Sequence, residues 1–361
     1  MTSKERFMVV CEHRNPDRIP IDYMATAQAD KKLKKYYGIS SERDLLNKLG
    51  CDFYYLSVRD ISQNETFLSI YRGPELDCTE AERTCPFGIR YRRTSYDWKF
   101  GADEAIRGPL QNATLPEDIL KHPLPRPEWF DMEALSPECE EYADKVVICG
   151  FWTAILGNAY RMHGFENFLL NLAANEMLIK TLVDRLTDFY LELNDRLFSA
   201  LKGKVQIFFM GNDFGTQNGL LFSREMWLDY YFDNYKKLID LAHSHNLKVM
   251  AHSCGAISEI LGDMIEAGVD IIDPVQTTAD NMNPAALKEK FGDKIVFHGA
   301  IDTQQVLPME TPEGVYRHAV DTMHILGKHG GYIFASCNNI QSDTPVENID
   351  AMYHAAREYK I

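Results

Sequence analysis

The chain is short of positive charge. Lysine and arginine together number 38 against 53 aspartates and glutamates, a formal net charge of −15. A surface of that sign repels phosphate backbones and anionic lipid, so neither nucleic acid nor a membrane surface is an expected partner. No run of 18 apolar residues occurs, and no transmembrane helix is expected. Met1 to Arg18 is polar and charged, with no apolar stretch of the kind a secretory signal needs; the expected compartment is the cytoplasm. Internal repeats and low-complexity tracts are absent. The eight cysteines stand far apart, at 11, 51, 78, 85, 139, 149, 254 and 337. Such spacing in a large chain predicts reduced thiols, some of them available to a metal, rather than a disulfide framework.

Apolar residues are plentiful, at 45% of the chain, which is enough for a large core. They fall into eight short candidate strands: Ile19–Tyr23, Phe53–Ser57, Val146–Phe151, Val205–Met210, Leu247–Ala251, Val269–Asp273, Lys294–His298 and Tyr332–Ala335. Most are rich in Val, Ile, Phe or Tyr and bounded by Gly, Pro or Asp, as buried parallel strands are. Between them run amphipathic helical patterns over Asn175–Ala200, Glu225–Asn246, Asp280–Phe291 and Thr311–His329. Thr311-Pro312 has the form of an N-cap and first turn, and Thr344-Pro345 is expected to start the last helix in the same way. Strands alternating with helices predict an α/β fold, a (β/α)8 TIM barrel forming a single domain over residues 1–361. An open doubly wound sheet is the competing arrangement. Residues 60–144 break the rhythm and are too long for one βα connection. They are expected to form an insertion between strands 2 and 3, over the barrel mouth. Within it, Ile89–Thr94 alternates like a hairpin strand and Leu115–Pro127 reads as a surface crossing.

In such a barrel, chemistry belongs at the C-terminal ends of the strands. Five consecutive candidate strands end in polar or glycine-rich segments. These are Gly211-Asn212-Asp213-Phe214-Gly215-Thr216-Gln217, His252-Ser253-Cys254-Gly255, Asp273-Pro274-Val275-Gln276, His298-Gly299-Ala300-Ile301-Asp302 and Ser336-Cys337-Asn338-Asn339. His252 and Cys254 are two apart, so in extended chain they project the same way. A shared zinc ion is one reading of the pair; packing of a small thiol is the other. Cys337 would face the same mouth from the last strand, and one histidine with two cysteines leaves a coordination position open, as catalytic zinc sites do. Asp213 and Asp302 also read as caps or turn formers. His298 also reads as a core histidine satisfied by local hydrogen bonds. The lysines at 31, 32, 34 and 35 read as a solvated helix surface.

Together these segments resemble the uroporphyrinogen decarboxylase superfamily, which includes the decarboxylases and the zinc-dependent, cobalamin-linked methyltransferases. Gly268–Gln276, Phe297–Asp302, Gly330–Phe334 and Asp343–Asn348 carry the same likeness. The resemblance implies a TIM barrel. Its methyltransferase branch implies His252, Cys254 and Cys337 as zinc ligands. The decarboxylase branch implies arginines near the N-terminus to hold a polyanionic tetrapyrrole. Here Asp22–Gln28 has none, and none occurs between Arg18 and Arg43. Asn338-Asn339-Ile340-Gln341 after Cys337 departs from the methyltransferase pattern, so the substrate is not inherited.

The expected activity is therefore methyl transfer between a small methylated compound, such as an O-methyl compound, and a corrinoid. No corrinoid-binding module is visible, so the corrinoid is expected on a partner protein. Asp213 is the expected catalytic acid or ligand-orienting group. Tyr23, Asn212, Gln217, Gln276, His298, Asp302 and Asn338 are expected to bind substrate, with Phe151, Trp152 and Phe214 lining an apolar pocket. The alternatives are methyl transfer from methylcobalamin to a thiol of the coenzyme M type, a decarboxylase or lyase of a non-porphyrin acid, and a non-enzymatic metal- or corrinoid-binding protein. The chain is expected to be a monomer or homodimer.

Overall fold

The structure, a computed structural model, describes residues 1–96 and 100–361 of the chain. Seven parallel strands form one curled sheet. They are β1 (Phe53–Tyr55), β5 (Val146–Trp152), β6 (Ile207–Gly211), β7 (Lys248–His252), β8 (Ile271–Val275), β9 (Val296–Ile301) and β10 (Tyr332–Ser336), in that spatial order. A separate antiparallel sheet holds β2 (Glu82–Thr84), β3 (Arg90–Tyr96) and β4 (Phe100–Arg107).

The sheet closes through the segment expected to be the first strand. Residues 19–23 make only an isolated parallel bridge, Ile21 to Phe334. The backbone bonds continue on both sides of it. Asp22 N–H donates to the Phe334 carbonyl at 2.9 Å, Phe334 N–H donates to the Pro20 carbonyl at 2.9 Å, and Asp52 N–H donates to the Ile21 carbonyl at 2.8 Å. Pro20 has no N–H to offer a ladder, which shortens the regular pairing here. The segment still joins β10 to the chain entering β1, and the architecture is the expected TIM barrel.

Strand alternation divides the core in two. Phe53, Val146, Ile148, Ile207, Phe209, Met250, Ile271, Val296 and Ile333 point into the barrel and pack on one another. Their odd neighbours, Tyr54, Val147, Phe208, Val249, Ile272, Phe297 and Phe334, face the surrounding helices. The helix Ser3–Cys11 plugs the N-terminal end with Phe7 and Val10. Arg6 and Arg18 lock that plug by binding Asp52 at 2.6 and 2.7 Å.

The helices follow the amphipathic patterns. Glu176–Ala200 is capped by Asn175, whose side chain accepts from Leu178 N–H. Pro312–Leu326 starts where Thr311 accepts from Gly314 N–H. The expected helix over Glu225–Asn246 is a run from Arg224 to Ser244 with a π-helical turn at Leu228–Phe232. The last helix, Val346–Glu358, begins after Pro345, but Thr344 does not cap it; its hydroxyl is buried without a partner.

Between β1 and β5, β3 forms where the hairpin strand was expected. The surface crossing instead contains a helix, Pro116–Lys121. The Asp118 carboxylate accepts from the Thr114 and Leu115 amides at 3.0 Å each, enough to start a turn. Phe87 docks this region on the long helix, edge-on to Phe189 at 5.2 Å. All eight cysteines are free thiols. Among the described residues no helix is long and apolar enough to cross a membrane.

Phe7 is 1% exposed and meets Phe53 edge-on at 5.8 Å. Phe7→Ala is expected to cost about 3–5 kcal/mol through loss of burial and the cavity left behind. A lowered urea midpoint with an unchanged far-ultraviolet spectrum is the expected measurement.

Candidate metal centre

The inward face that is apolar at the barrel's lower end turns polar one step further along the strands. Two residues after Met250 stands His252, two after Ile271 stands Asp273, and two after Val296 stands His298. Each keeps the inward parity of the apolar residue before it. Asp22, on the closing segment, shares that face, and Tyr55 of β1 reaches it with a 2.7 Å hydroxyl bond. All five side chains are buried.

They are bonded in sequence. His298 Nε2 lies 2.9 Å from Asp22 Oδ2, and His298 Nδ1 lies 2.6 Å from Asp273 Oδ1. Asp273 Oδ2 takes His252 Nδ1 at 2.5 Å. That bond leaves His252 Nε2 facing outward, 3.3 Å from Cys254 Sγ and 3.5 Å from Asp213 Oδ1. One ligand atom from each of Asp213, His252 and Cys254 lies within 4.8 Å of the other two. A mixed nitrogen, sulfur and oxygen set of this size suits zinc. Holding a metal-facing histidine by its other nitrogen on a carboxylate is the usual support for such a ligand.

The charges follow from the contacts. Burial works against an imidazolium at His298, but Asp273 and Asp22 outweigh it and push its pKa up to about 9. Burial pushes the Asp273 carboxyl up, yet His298 and His252 hold it well below the ordinary carboxylate range. His252 is likewise raised, burial being overcome by Cys254, Asp273 and Asp213. Burial pushes the Cys337 thiol up to about 12.

Glycines shape the turn carrying Cys254. Gly255 sits at φ +89°, and a Cβ there would lie 2.5 Å from the Gly215 carbonyl carbon. The two loops can approach only because both residues lack side chains. Gln276 accepts from Gly255 N–H at 2.8 Å and donates to Gln217 at 3.1 Å, and Gln217 donates to the Thr278 carbonyl at 2.6 Å. Asp213 accepts from Cys254 N–H at 2.9 Å.

Aromatic rings cover the other side. After β5 the backbone runs through positive φ at Phe151, Trp152 and Thr153. Thr153 holds this bend by donating to the Gly150 carbonyl at 2.6 Å. The Trp152 ring thereby lies 4.8 Å from the His252 ring and 5.1 Å from Phe209. A Cβ on Gly211 would lie 2.1 Å from the Trp152 ring, so that glycine makes room for it.

Two cavities flank the centre. One, of about 570 Å³, has Met24, Tyr55, Ile148, Phe151, Trp152 and Phe209 in its wall, with Arg59, Asp60 and Asn64 also lining it. The other, of about 160 Å³, is lined by Gln276, Thr278, Asp302, Cys337, Asn338 and Gln341 among others. Asn339 borders both, and Asn338 donates to Cys254 Sγ at 3.4 Å.

The expected site residues separate on these grounds. Asp213, His252 and Cys254 converge. Cys337 stands outside that set, its thiol donating to the Val275 carbonyl at 3.1 Å. Gln276, Asp302 and Asn338 reach the smaller cavity; Asp302 also caps the Gln304 and Gln305 amides. Tyr23 does not reach the site. Its odd parity turns it outward, edge-on to Tyr353 at 5.8 Å. Asn212 is buried and spends its amide on Leu156 N–H and the Thr153 carbonyl, bracing the bend under Trp152. Gln217 braces a loop, as above. His298 is wholly buried and touches carboxylates rather than a cavity. Phe214 lies under Trp227, Tyr231 and Tyr235, away from both cavities. Asp22 and Asp273 were given no role in the sequence. A lone acid following an apolar strand is costly to bury unless paired, and that was the signal for both.

The uroporphyrinogen decarboxylase (URO-D) family model matches residues 113–359. The chain belongs to this family. The matched span of this URO-D family member contains His252, Cys254 and Cys337. A uroporphyrinogen decarboxylase of Magnetococcus marinus is 23% identical over 384 residues, covering 99% of this chain and 97% of that protein. The methylcobamide:CoM methyltransferase MtbA of Methanosarcina acetivorans is 24% identical over 234 residues, covering 63% of each. A methyltransferase from Methanosarcina mazei shares the fold, with a TM-score of 0.65 at 16% identity and 99% coverage of both chains.

His298 makes the stability of this URO-D family protein depend on pH. Its folded pKa of about 9 lies above the ordinary value of 6.5. Its contribution is therefore complete below pH 6.5 and lost as pH rises through 9. Urea unfolding is expected to show that loss in the native chain, and His298→Gln to flatten it.

Proposed function

We propose that this URO-D family protein is a zinc-dependent methyltransferase, moving a methyl group between a small methylated compound and a corrinoid carried by a partner protein. The observation that carries this reading is the convergence of Asp213, His252 and Cys254 beside an aromatic-walled cavity. The match to MtbA supports it independently.

In this reading His252, Cys254 and Cys337 hold the metal, and Cys337 gives up its bond to the Val275 carbonyl to do so. Bound zinc supplies Lewis acidity, which makes an ether oxygen a better leaving group or keeps a thiol deprotonated. The protein's own residues do the rest. Asp213 fixes the Cys254 backbone and orients the ligands beside it. Trp152, Phe209 and Tyr55 exclude water and seat the methylated compound, while Gln276 and Asn338 hold its polar atoms from the smaller cavity. The bend at Phe151–Thr153 keeps Trp152 over His252 throughout.

The second reading is decarboxylation, which the Magnetococcus relative favours. The cavity argues against a polyanionic substrate. Arg59 is the one guanidinium among its lining residues, and Asp60 lies beside it. Binding several carboxylates there would leave most of them unpaired at a large cost. A smaller acid remains the form of this alternative. Transfer to a thiol of the coenzyme M type uses the same ligands with the methyl moving the other way.

Mixing the zinc-loaded protein with cob(I)alamin and a panel of methyl donors tests the proposal. Loss of the cobalt(I) absorption with a methylated compound is the expected result, and Cys254→Ala should abolish both zinc binding and that change. A metal-free chain with full activity would overturn it.

A further inference from the structure

The metal centre accounts for His252, but not for the three buried groups behind it. We propose that Asp22, His298 and Asp273 act as one charged strut that fixes the His252 ring, with His298 held as an imidazolium between the two carboxylates. Only the strut's bearing on metal binding rests on the zinc reading above.

The geometry makes the case. Each ring nitrogen of His298 faces a carboxylate oxygen, Asp22 on one side and Asp273 on the other. A carboxylate only accepts, so each nitrogen must bring a proton, and both protons together make the ring a cation. His298 and Asp273 are 0% exposed and Asp22 is 1% exposed, so the pairing is shielded from bulk water. The other groups facing this trio are the Tyr55 hydroxyl and the Tyr23 amide on Asp22, each at 2.7 Å, and His252 on Asp273. Of these only the His252 ring can carry a positive charge, and it must be neutral to hold a metal through Nε2. Two carboxylates and one imidazolium then leave a net charge of −1 beneath His252. That charge faces the position a dication would occupy.

The strut also restricts rotation. Asp273 is bonded to both histidines, one through each oxygen. Its plane is therefore set by His298, and His298 is set in turn by Asp22 on the closing segment of the barrel. His252 receives its orientation from three positions distant in sequence. Asp22, His298 and Asp273 are positioning residues in this scheme; none lines either of the two flanking cavities.

Two measurements on the full-length chain test the strut. The first is proton–nitrogen spectroscopy of metal-free protein labelled with ¹⁵N-histidine at pH 7.5. The His298 ring, assigned by the loss of its signals in His298→Gln, is expected to have both nitrogens protonated in the native chain and to be neutral in Asp22→Asn. A neutral His298 in the native protein overturns the proposal. The second is cobalt(II) titrated against a chelator, read by its visible bands. Asp273→Asn should weaken binding about 10- to 100-fold and shift the bands, with Asp22→Asn moving the same way by less. Leu193→Ala, buried in the helix Glu176–Ala200, should lower the urea midpoint while leaving cobalt affinity unchanged. Native affinity and bands in Asp273→Asn would overturn the link to the metal. If the native chain takes up no cobalt(II), the zinc reading fails, and the nitrogen spectra still decide the strut.

Discussion

The structure depends on the two-residue period of strands in a closed parallel barrel. That period assigns Met250, Ile271 and Val296 to the interior, and with them His252, Asp273 and His298. A shift of one residue in any strand would turn its polar group out among the helices and bring an apolar neighbour in. Register is consequently under two demands at once. The lower layer must be apolar to make a core, and the layer above must present one acid or base from each of several strands in bonding range. His252 pairs with Asp273 across the β7–β8 ladder, so one register serves both the backbone bonds and the side-chain bond. Burying these groups is tolerable because each is hydrogen-bonded to another of them. Removal of one partner would leave an uncompensated charge, which costs far more than the intact pair contributes.

Most of this was legible in the sequence, and the reasons differ by residue. Seven candidate strands lie in the sheet because continuous apolar runs bounded by glycine or aspartate are distinctive of buried parallel strands. His252 and Cys254 were legible because i and i+2 share a face. Tyr23 obeys the same rule with the opposite result: it ends a strand, but one residue after the inward-facing Asp22, and so it turns outward. Asn212 and Gln217 were read as substrate groups because they follow a strand. In the structure, loops at the mouth need their own internal amides to hold their shape, and those amides serve that need first. Asp22 and Asp273 were hidden for a further reason. A buried acid announces itself only through its partner, and the partner, His298, is 276 positions from Asp22.

Family membership narrows the chemistry without choosing it, since one fold hosts many reactions. The choice lies in what the mouth offers. Three residues in succession with positive φ cost about 1–3 kcal/mol each, and the return on that strain is a tryptophan face laid against His252. Two glycines permit this packing: a Cβ on Gly150 would meet the Phe209 carbonyl, and one on Gly211 the Trp152 ring. This aromatic wall covers one side of the His252 ring, while the exposed Asp213 leaves the other side open to the mouth. Recognition of a polyanion would call for several cations in the mouth, where the larger cavity's lining offers Arg59 next to Asp60. An aromatic wall beside a thiol and an imidazole instead suits a reaction in which a small uncharged methyl group moves and its leaving group is stabilised at one point. The strained bend is thus better explained by transfer at a single centre than by the binding of many carboxylates.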